Sequence, residues 1–274
     1  MSARPEMGAA ILARHELGAN LRAFVAWLLP VAGLVALTCA LQPSFAGDGG
    51  ALAAKIQALP EGLRKAFGVG MVDFSRPAAY LATNFLAVTL IASLFGGLLG
   101  ARIVAKEETM HTAEMLYAQP VSRVHVLAGK AAAAAVYAIA LPLGVGIVAA
   151  AILAAVVPAP LEPGLIAALF GGAAALAVCF AGAGMLVAAL VRDARSATGG
   201  ALAIVLGTYF LGALSAIAAP AAPLRWLSPY KLVEPIAILA RGGLDPVAPA
   251  ALVLLGVAFA TAGIARYRRR DILA

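Results

Sequence analysis

The polar residues whose types and spacing favour a specific contact are concentrated in residues 106–130. Glu107, Glu108 and Thr109 are predicted to open a short helix, because acidic groups and a capping hydroxyl suit the positive end of a helix dipole. Pro120 ends that helix, since the residue before a proline is pushed out of the α region. A short helix between two apolar runs offers a surface that a soluble partner can bind.

An apolar stripe follows the predicted helix start. Its members recur at spacings of three or four residues, which places them on one side of a helix: Met110, Ala113, Met115, Leu116 and Tyr117. After the proline, Ser122 is predicted to cap a second helix that carries Arg123, His125 and Lys130 in its first turns. An ordinary solvated loop needs polar residues but neither a stripe nor caps, so the pattern favours docking over a simple loop.

This stretch resembles the segment after the second span in permeases of the ABC-2 type exporter family. The residues that carry the resemblance are Thr112, Glu114, Leu116, Pro120, Val121, Ser122 and Arg123. In that family the segment forms a coupling helix that docks on a separate ATP-binding subunit. The resemblance implies the same role for residues 106–123. His111 departs from the family pattern, which usually has glycine at that place.

The resemblance suggests roles for individual side chains. Polar contacts with the ATP-binding subunit are expected from Glu107, Glu108, Glu114 and Arg123, while Met115 and Leu116 fill a cleft on it. A second predicted inner loop carries Arg192 and Arg195. These two arginines are either a second contact with the partner or anchors of the kind that basic residues form at the cytoplasmic side of a membrane.

The composition identifies an integral membrane protein. Of the 274 residues, 63% are hydrophobic and only 12% are charged, whereas about 25% of a soluble protein is charged. The apolar runs are long enough for helices of roughly 20 residues, which cross a bilayer. The sequence therefore predicts an all-α membrane protein, and the resemblance implies that residues 1–274 form a single permease domain. Its six transmembrane helices are predicted at residues 24–41, 80–101, 126–156, 165–191, 197–219 and 247–265.

Three further segments flank or connect these spans. Residues 1–23 are amphipathic and form either a helix in the membrane interface, the elbow helix of the resembling family, or a helical lead-in to the first span. Residues 42–79 form an outer loop with an amphipathic helix. Residues 220–246 resemble the family's pair of outer, half-embedded helices, and Arg269, Arg270 and Asp271 resemble its arginine-rich ending.

The distribution of basic residues predicts the orientation. Thirteen of the 20 lysines and arginines fall on one set of connecting segments and seven on the other. Basic residues collect in the short cytoplasmic loops of membrane proteins. We therefore expect both termini in the cytoplasm and a multi-pass protein of the cell membrane, which in a bacterium is the inner membrane.

The sequence lacks a phosphate-binding loop, because Gly129-Lys130 is followed by Ala131 and has no glycine at the required upstream place. We therefore expect no catalytic residues, no cofactor and no metal in this chain, with ATP and Mg²⁺ bound by a partner. The resemblance implies two ATP-binding subunits and a second permease chain, identical or homologous. No basic patch is interleaved with aromatic residues, so nucleic acid is not an expected partner.

Two other classes of function fit the sequence less well. An ion-coupled secondary transporter usually places ionisable groups within its spans, but the predicted spans contain no aspartate or glutamate, and Lys130 is expected to extend to the inner surface. An intramembrane protease needs histidines at membrane depth, whereas the three histidines fall in or beside inner segments. The charge-free spans instead suit an amphipathic or hydrophobic cargo moved outward.

The remaining features of the spans are interpreted as structural. Gly96, Gly97 and Gly100 allow two helices to approach closely, and Cys39 and Cys179 are expected to be buried, reduced thiols. The polar side chains within the spans are predicted to bond backbone carbonyls or neighbouring helices: Thr83, Asn84, Thr89, Ser93, Tyr137, Thr198, Thr208, Tyr209, Ser215 and Thr261.

Overall fold

The computed structural model describes residues 5–47, 58, 60, 76–109, 122–158, 160–191, 193–217 and 219–268. Regular structure in these ranges is entirely helical. The α-helices are α1 (Pro5–Gly47), α2 (Pro77–Thr109), α3 (Arg123–Val156), α4 (Pro163–Leu190), α5 (Ala194–Ile217), α6 (Pro235–Arg241) and α7 (Val247–Arg268). Two 3₁₀ segments, Ala219–Leu227 and Pro229–Val233, lie between α5 and α6.

Six of these helices, all except α6, are long and apolar enough to cross a membrane. The predicted all-α fold with six spans is therefore confirmed. Large apolar side chains lie exposed on the outside of the bundle, as lipid contact requires; examples are Leu29, Ile147, Phe210 and Leu254. The chain is a multi-pass membrane protein.

Helix α1 joins two elements that the sequence suggested as separate. The amphipathic residues 5–22 and the first span form one helix of 43 residues. No proline interrupts residues 6–29, so the backbone has no reason to break there. An interfacial position for residues 1–23 stays a prediction.

The end of α2 corrects one local prediction. Glu107, Glu108 and Thr109 form the last turn of this helix and do not open a new one. No glycine or proline lies between Arg102 and Thr109, so helix α2 continues beyond the residue at which the second span was predicted to end. The two acidic residues thus lie at the negative end of the helix dipole, where Lys106 is the favourable charge.

Helix α4 is the centre of the bundle and packs against α2, α3 and α7, while α1 packs mainly against α3. The α2–α4 contact is made backbone to backbone. A Cβ atom added at Gly96 would lie 2.2 Å from the Ala177 carbonyl oxygen, and one added at Gly100 would lie 2.0 Å from that of Ala181. The predicted packing role of these glycines is confirmed.

The connections contain several predicted elements. The segment 220–246 is helical over Ala219–Leu227, Pro229–Val233 and Pro235–Arg241, and its outer, half-embedded position stays a prediction. The amphipathic helix predicted within residues 42–79 lies outside the described residues, except for single positions. Cys39 and Cys179 are buried and unpaired with each other, as predicted.

Candidate coupling site at one end of the bundle

The predicted coupling segment lies between α2 and α3. Most of its proposed contact residues lie outside the described part of the chain, as does one of the two arginines of the other loop: Thr112, Glu114, Met115, Leu116, Pro120, Val121 and Arg192. The structure does describe the two flanks, which end at Thr109 and begin again at Ser122. We call this end of the bundle, which also holds Lys106, the inner end.

The α3 flank begins with the predicted cap. Ser122 has extended backbone angles, and its hydroxyl oxygen accepts a hydrogen bond from the His125 N–H at 3.4 Å. The same hydroxyl lies 2.6 Å from His125 Nδ1. A side-chain oxygen that satisfies a free amide of the first turn fixes where a helix starts, so Arg123 occupies the first position of α3.

The other inner loop is capped in a similar way. Asp193 Oδ1 accepts a hydrogen bond from the Ser196 N–H at 2.7 Å, at the start of α5. This bond, and a weaker one from the Ser196 side chain, hold the pKa of Asp193 below its usual range. Arg195 is exposed in the first turn of the same helix. Its exposure is compatible with either predicted role.

Three charged side chains meet between the two flanks of the coupling segment. Glu16 of α1 accepts a hydrogen bond from Lys106 of α2 at 2.6 Å and lies 3.4 Å from Lys130 of α3. The Glu16 and Lys130 side chains are each 3% exposed. We call Glu16, Lys106 and Lys130 the inner charge cluster.

Further hydrogen bonds hold this cluster in place. Asn20, one turn along α1, donates to Glu16 Oε2 at 3.1 Å. Lys130 donates to the Ile103 carbonyl oxygen of α2 at 2.6 Å. The Tyr137 hydroxyl of α3 donates to the Leu17 carbonyl oxygen of α1. Buried charges are costly unless they are paired and hydrogen-bonded, and this network supplies both conditions.

The cluster corrects the expected position of Lys130. The sequence suggested that its side chain reaches the inner surface, but Lys130 is 2% exposed and points to Glu16. Among the residues that the structure describes, Glu16 is the only buried acidic side chain. Sequence reasoning missed it because residues 1–23 were treated apart from the span. A glutamate within the long apolar helix α1 was the available signal.

The other polar side chains of the spans mainly form hydrogen bonds with nearby backbone carbonyls. Nine of the ten predicted positions donate to a backbone carbonyl in the same helix or, for Tyr137, in α1; the exception is Tyr209. Such bonds remove hydroxyl and amide groups from the apolar environment without creating a relay. No group of three or more metal-binding side chains occurs in the described ranges.

The fold and this site describe a helical membrane protein with a buried charge cluster beside a long connecting segment. The sequence profile of the family described as ABC-2 family transporter protein matches residues 10–272. The match covers nearly the whole chain, and the chain therefore belongs to this family, as an ABC transporter permease subunit. Among curated proteins, no sequence matches the chain.

Proposed function

We propose that this chain is the membrane-spanning subunit of an ATP-driven exporter and that residues 106–123 dock on a separate ATP-binding subunit. The chain supplies the spans, and the partner binds ATP and Mg²⁺ and hydrolyses the nucleotide. Family membership supports the general class. The observation that supports coupling at this place is the inner charge cluster, which joins the two helices flanking the segment to α1.

The cluster gives the segment a mechanical connection to the bundle. Lys106 is the first residue of the segment and lies on α2, and Lys130 follows the segment on α3. Both contact one carboxylate, Glu16, so a displacement of the segment acts on α1, α2 and α3 together. ATP-driven closure of the partner would push the segment and shift the spans between inward-open and outward-open states.

The proposed assembly contains two permease chains, identical or homologous, and two ATP-binding subunits in the cell membrane, with both permease termini in the cytoplasm. The apolar spans suit an amphipathic or hydrophobic cargo, which is moved outward. Arg192 and Arg195 serve either as a second contact with the ATP-binding subunit or as positive anchors.

One observation favours a second candidate, an ion-coupled secondary transporter. The buried carboxylate of Glu16 is the type of group that such carriers use. Its two lysine partners, however, already neutralise it in the structure. A carrier of this type would transport its cargo in liposomes with an ion gradient alone, whereas the exporter requires the ATP-binding subunit and ATP.

The proposed function is tested by co-purification of the tagged chain with an ATP-binding subunit encoded beside it. The test variant combines Glu114→Arg with Leu116→Asp in the coupling segment. The matched control combines Glu61→Arg with Leu63→Asp, which makes the same changes at the same spacing in the predicted outer loop. We expect an active ATPase to co-purify with the wild type and the control but not with the test variant.

Two results would contradict this proposal. If the wild type purifies without any ATPase, the docking role fails. If the test variant inserts normally and retains the ATPase, the partner docks elsewhere.

A further inference from the structure

A cavity of about 160 Å³ separates α1 and α2 near the inner end. Each wall consists of residues spaced three or four apart, which lie on one face of a helix. The lining residues are Asn20, Ala23 and Trp27 on α1, and Phe95, Leu98, Leu99, Arg102 and Lys106 on α2.

The polarity of this cavity changes along the helix axes. Arg102 and Lys106 are one turn apart on α2 and lie at the inner end, level with Asn20 of α1. Trp27 and Phe95 lie deeper, with their ring centroids 5.8 Å apart. The cavity is therefore cationic at its mouth and aromatic and aliphatic toward the bundle interior.

The two cations differ in their surroundings. Lys106 is 28% exposed and is held by the Glu16 carboxylate. Arg102 is exposed and forms no ion pair with any residue that the structure describes. A guanidinium group can form two parallel hydrogen bonds with a phosphate, so Arg102 is the better-placed ligand for an anion.

We propose that this cavity binds one anionic phospholipid. Its phosphate contacts Arg102 and Lys106, and part of an acyl chain lies against Trp27 and Phe95. The lipid and the cavity are complementary, because the cationic mouth suits the anionic headgroup at the membrane surface and the apolar interior suits the acyl chain. Basic pockets between spanning helices at the cytoplasmic side recognise anionic headgroups in this way.

This lipid site goes beyond the proposed exporter function. It requires no ATP-binding subunit, and its test gives the same answer whether or not the docking proposal holds. Lys106 belongs both to the lipid site and to the inner charge cluster. A lipid bound there would therefore lie directly beside the contacts that hold α1, α2 and α3 together.

The test uses the chain's own fluorescence. The protein contains two tryptophans, Trp27 and Trp226, so Trp226→Phe leaves Trp27 as the only tryptophan. This full-length variant is reconstituted in phosphatidylcholine bilayers that contain a small fixed fraction of brominated lipid, either phosphatidylglycerol or phosphatidylcholine. Bromine quenches tryptophan on contact. We expect brominated phosphatidylglycerol to quench Trp27 more strongly at equal mole fraction.

Substitutions at the cationic mouth test whether the preference for the anionic lipid comes from this cavity. Arg102→Gln is expected to lower the preference for the anionic lipid about fivefold, and Arg102→Lys to retain part of it. Arg268→Gln removes an equal charge from an exposed position at the end of α7 and should leave the preference unchanged. Trp27→Phe leaves Trp226 as reporter, which lies beside Arg225 and outside the cavity, and its quenching should not respond to Arg102→Gln.

Three results would overturn the proposal. Equal quenching by the two brominated lipids would show that the cavity does not select anions. If neither brominated lipid quenched Trp27, the cavity would be filled by protein and not by lipid. An equal loss in Arg102→Gln and Arg268→Gln would show that the basic chain attracts anionic lipid as a whole.

Discussion

Glu16 and Lys130, which are 114 positions apart in sequence, form an ion pair at 3.4 Å with both side chains almost fully buried. The pair connects α1 to the start of α3, and Lys106 extends the connection to α2. In a chain with few charges, this cluster joins three of the spans by electrostatic contacts. Its position beside the predicted coupling segment motivates the first prediction.

Removal of the Glu16 charge should destabilise the protein and weaken coupling. Glu16→Gln leaves Lys130 buried without its carboxylate, which costs about 3 kcal/mol. The combined change Glu16→Gln and Lys130→Met removes both charges and should recover more than half of that loss. Thermal unfolding in detergent measures the first effect, and cargo moved per ATP in proteoliposomes with the partner measures the second.

The control for this experiment is Arg14→Gln, at an exposed position on the same helix. It should change neither stability nor coupling. If Glu16→Gln is no more harmful than Arg14→Gln, the buried pair has no structural role.

The backbone contact between α2 and α4 should tolerate no added methyl group. A Cβ at Gly100 would lie 2.0 Å from the Ala181 carbonyl oxygen, so Gly100→Ala should cost about 1 to 3 kcal/mol as the helices separate. A Cβ added at Gly33 of α1 would meet no packing neighbour within 4 Å. Gly33→Ala should therefore be neutral or stabilising by up to about 1 kcal/mol. Equal unfolding temperatures for the two variants would show that the close approach is absent.

The cap at Ser122 should control the start of α3. Ser122→Ala removes the oxygen that bonds the His125 N–H and should cost about 1 kcal/mol in the first turn, whereas Ser122→Asp, another good cap, should retain it. Hydrogen exchange of the amides in residues 123–127 measures the effect. Identical exchange in the alanine and aspartate variants would contradict a capping role.

Acid should loosen the start of α5 through Asp193. Hydrogen bonds from Ser196, first from its backbone N–H, lower the pKa of Asp193 from its ordinary value of 3.8. Because the folded-state pKa is the lower one, the ionised group stabilises the helix start above pH 3.8 and this contribution is lost as the pH falls through the folded-state pKa. Hydrogen exchange in residues 194–198 as a function of pH measures this loss.

Two variants separate the charge of Asp193 from its cap. Asp193→Asn keeps a capping oxygen and should remove the acid dependence of exchange, while Asp193→Ala should weaken the helix start at every pH. Acid dependence that persists in Asp193→Asn would assign the effect to another group.

The orientation is tested by cysteine labelling. The two native cysteines, Cys39 and Cys179, are replaced by alanine, a small apolar residue that suits their buried positions. Single cysteines are then introduced at the exposed positions Ser122 and Asp245. We expect an impermeant maleimide applied to intact cells to label Asp245→Cys only, and Ser122→Cys to react after the membrane is opened. The reverse pattern would invert the proposed topology.

The sequence was sufficient for the features that depend on local physics. Long apolar runs determine the six spans, Ser122 is a strong cap, and the small residues Gly96 and Gly100 permit close packing. The same reasoning failed where the outcome depends on partners distant in sequence. Nothing local to Lys130 indicates that its charge is buried, because the compensating carboxylate belongs to Glu16 on another helix.

Helix ends were the least predictable elements. The acidic residues Glu107 and Glu108 suggested a helix start, yet the backbone continues through them because no glycine or proline lies between Arg102 and Thr109. The coupling role of residues 106–123 was predicted from the motif between Thr112 and Arg123. The contacts that this role requires are made with a second protein, so they cannot be derived from this chain alone.

The glycine contact between α2 and α4 also bears on how force travels through the protein. At Gly96 and Gly100 no side chain separates the two backbones, and Phe85 of α2 packs edge-on against Phe170 of α4, so the two helices behave as a single stiff lever. Helix α2 alone, with 33 residues, is about 50 Å long. A tilt imposed at Thr109 is therefore transmitted along the whole helix to Pro77, at the opposite end of the bundle.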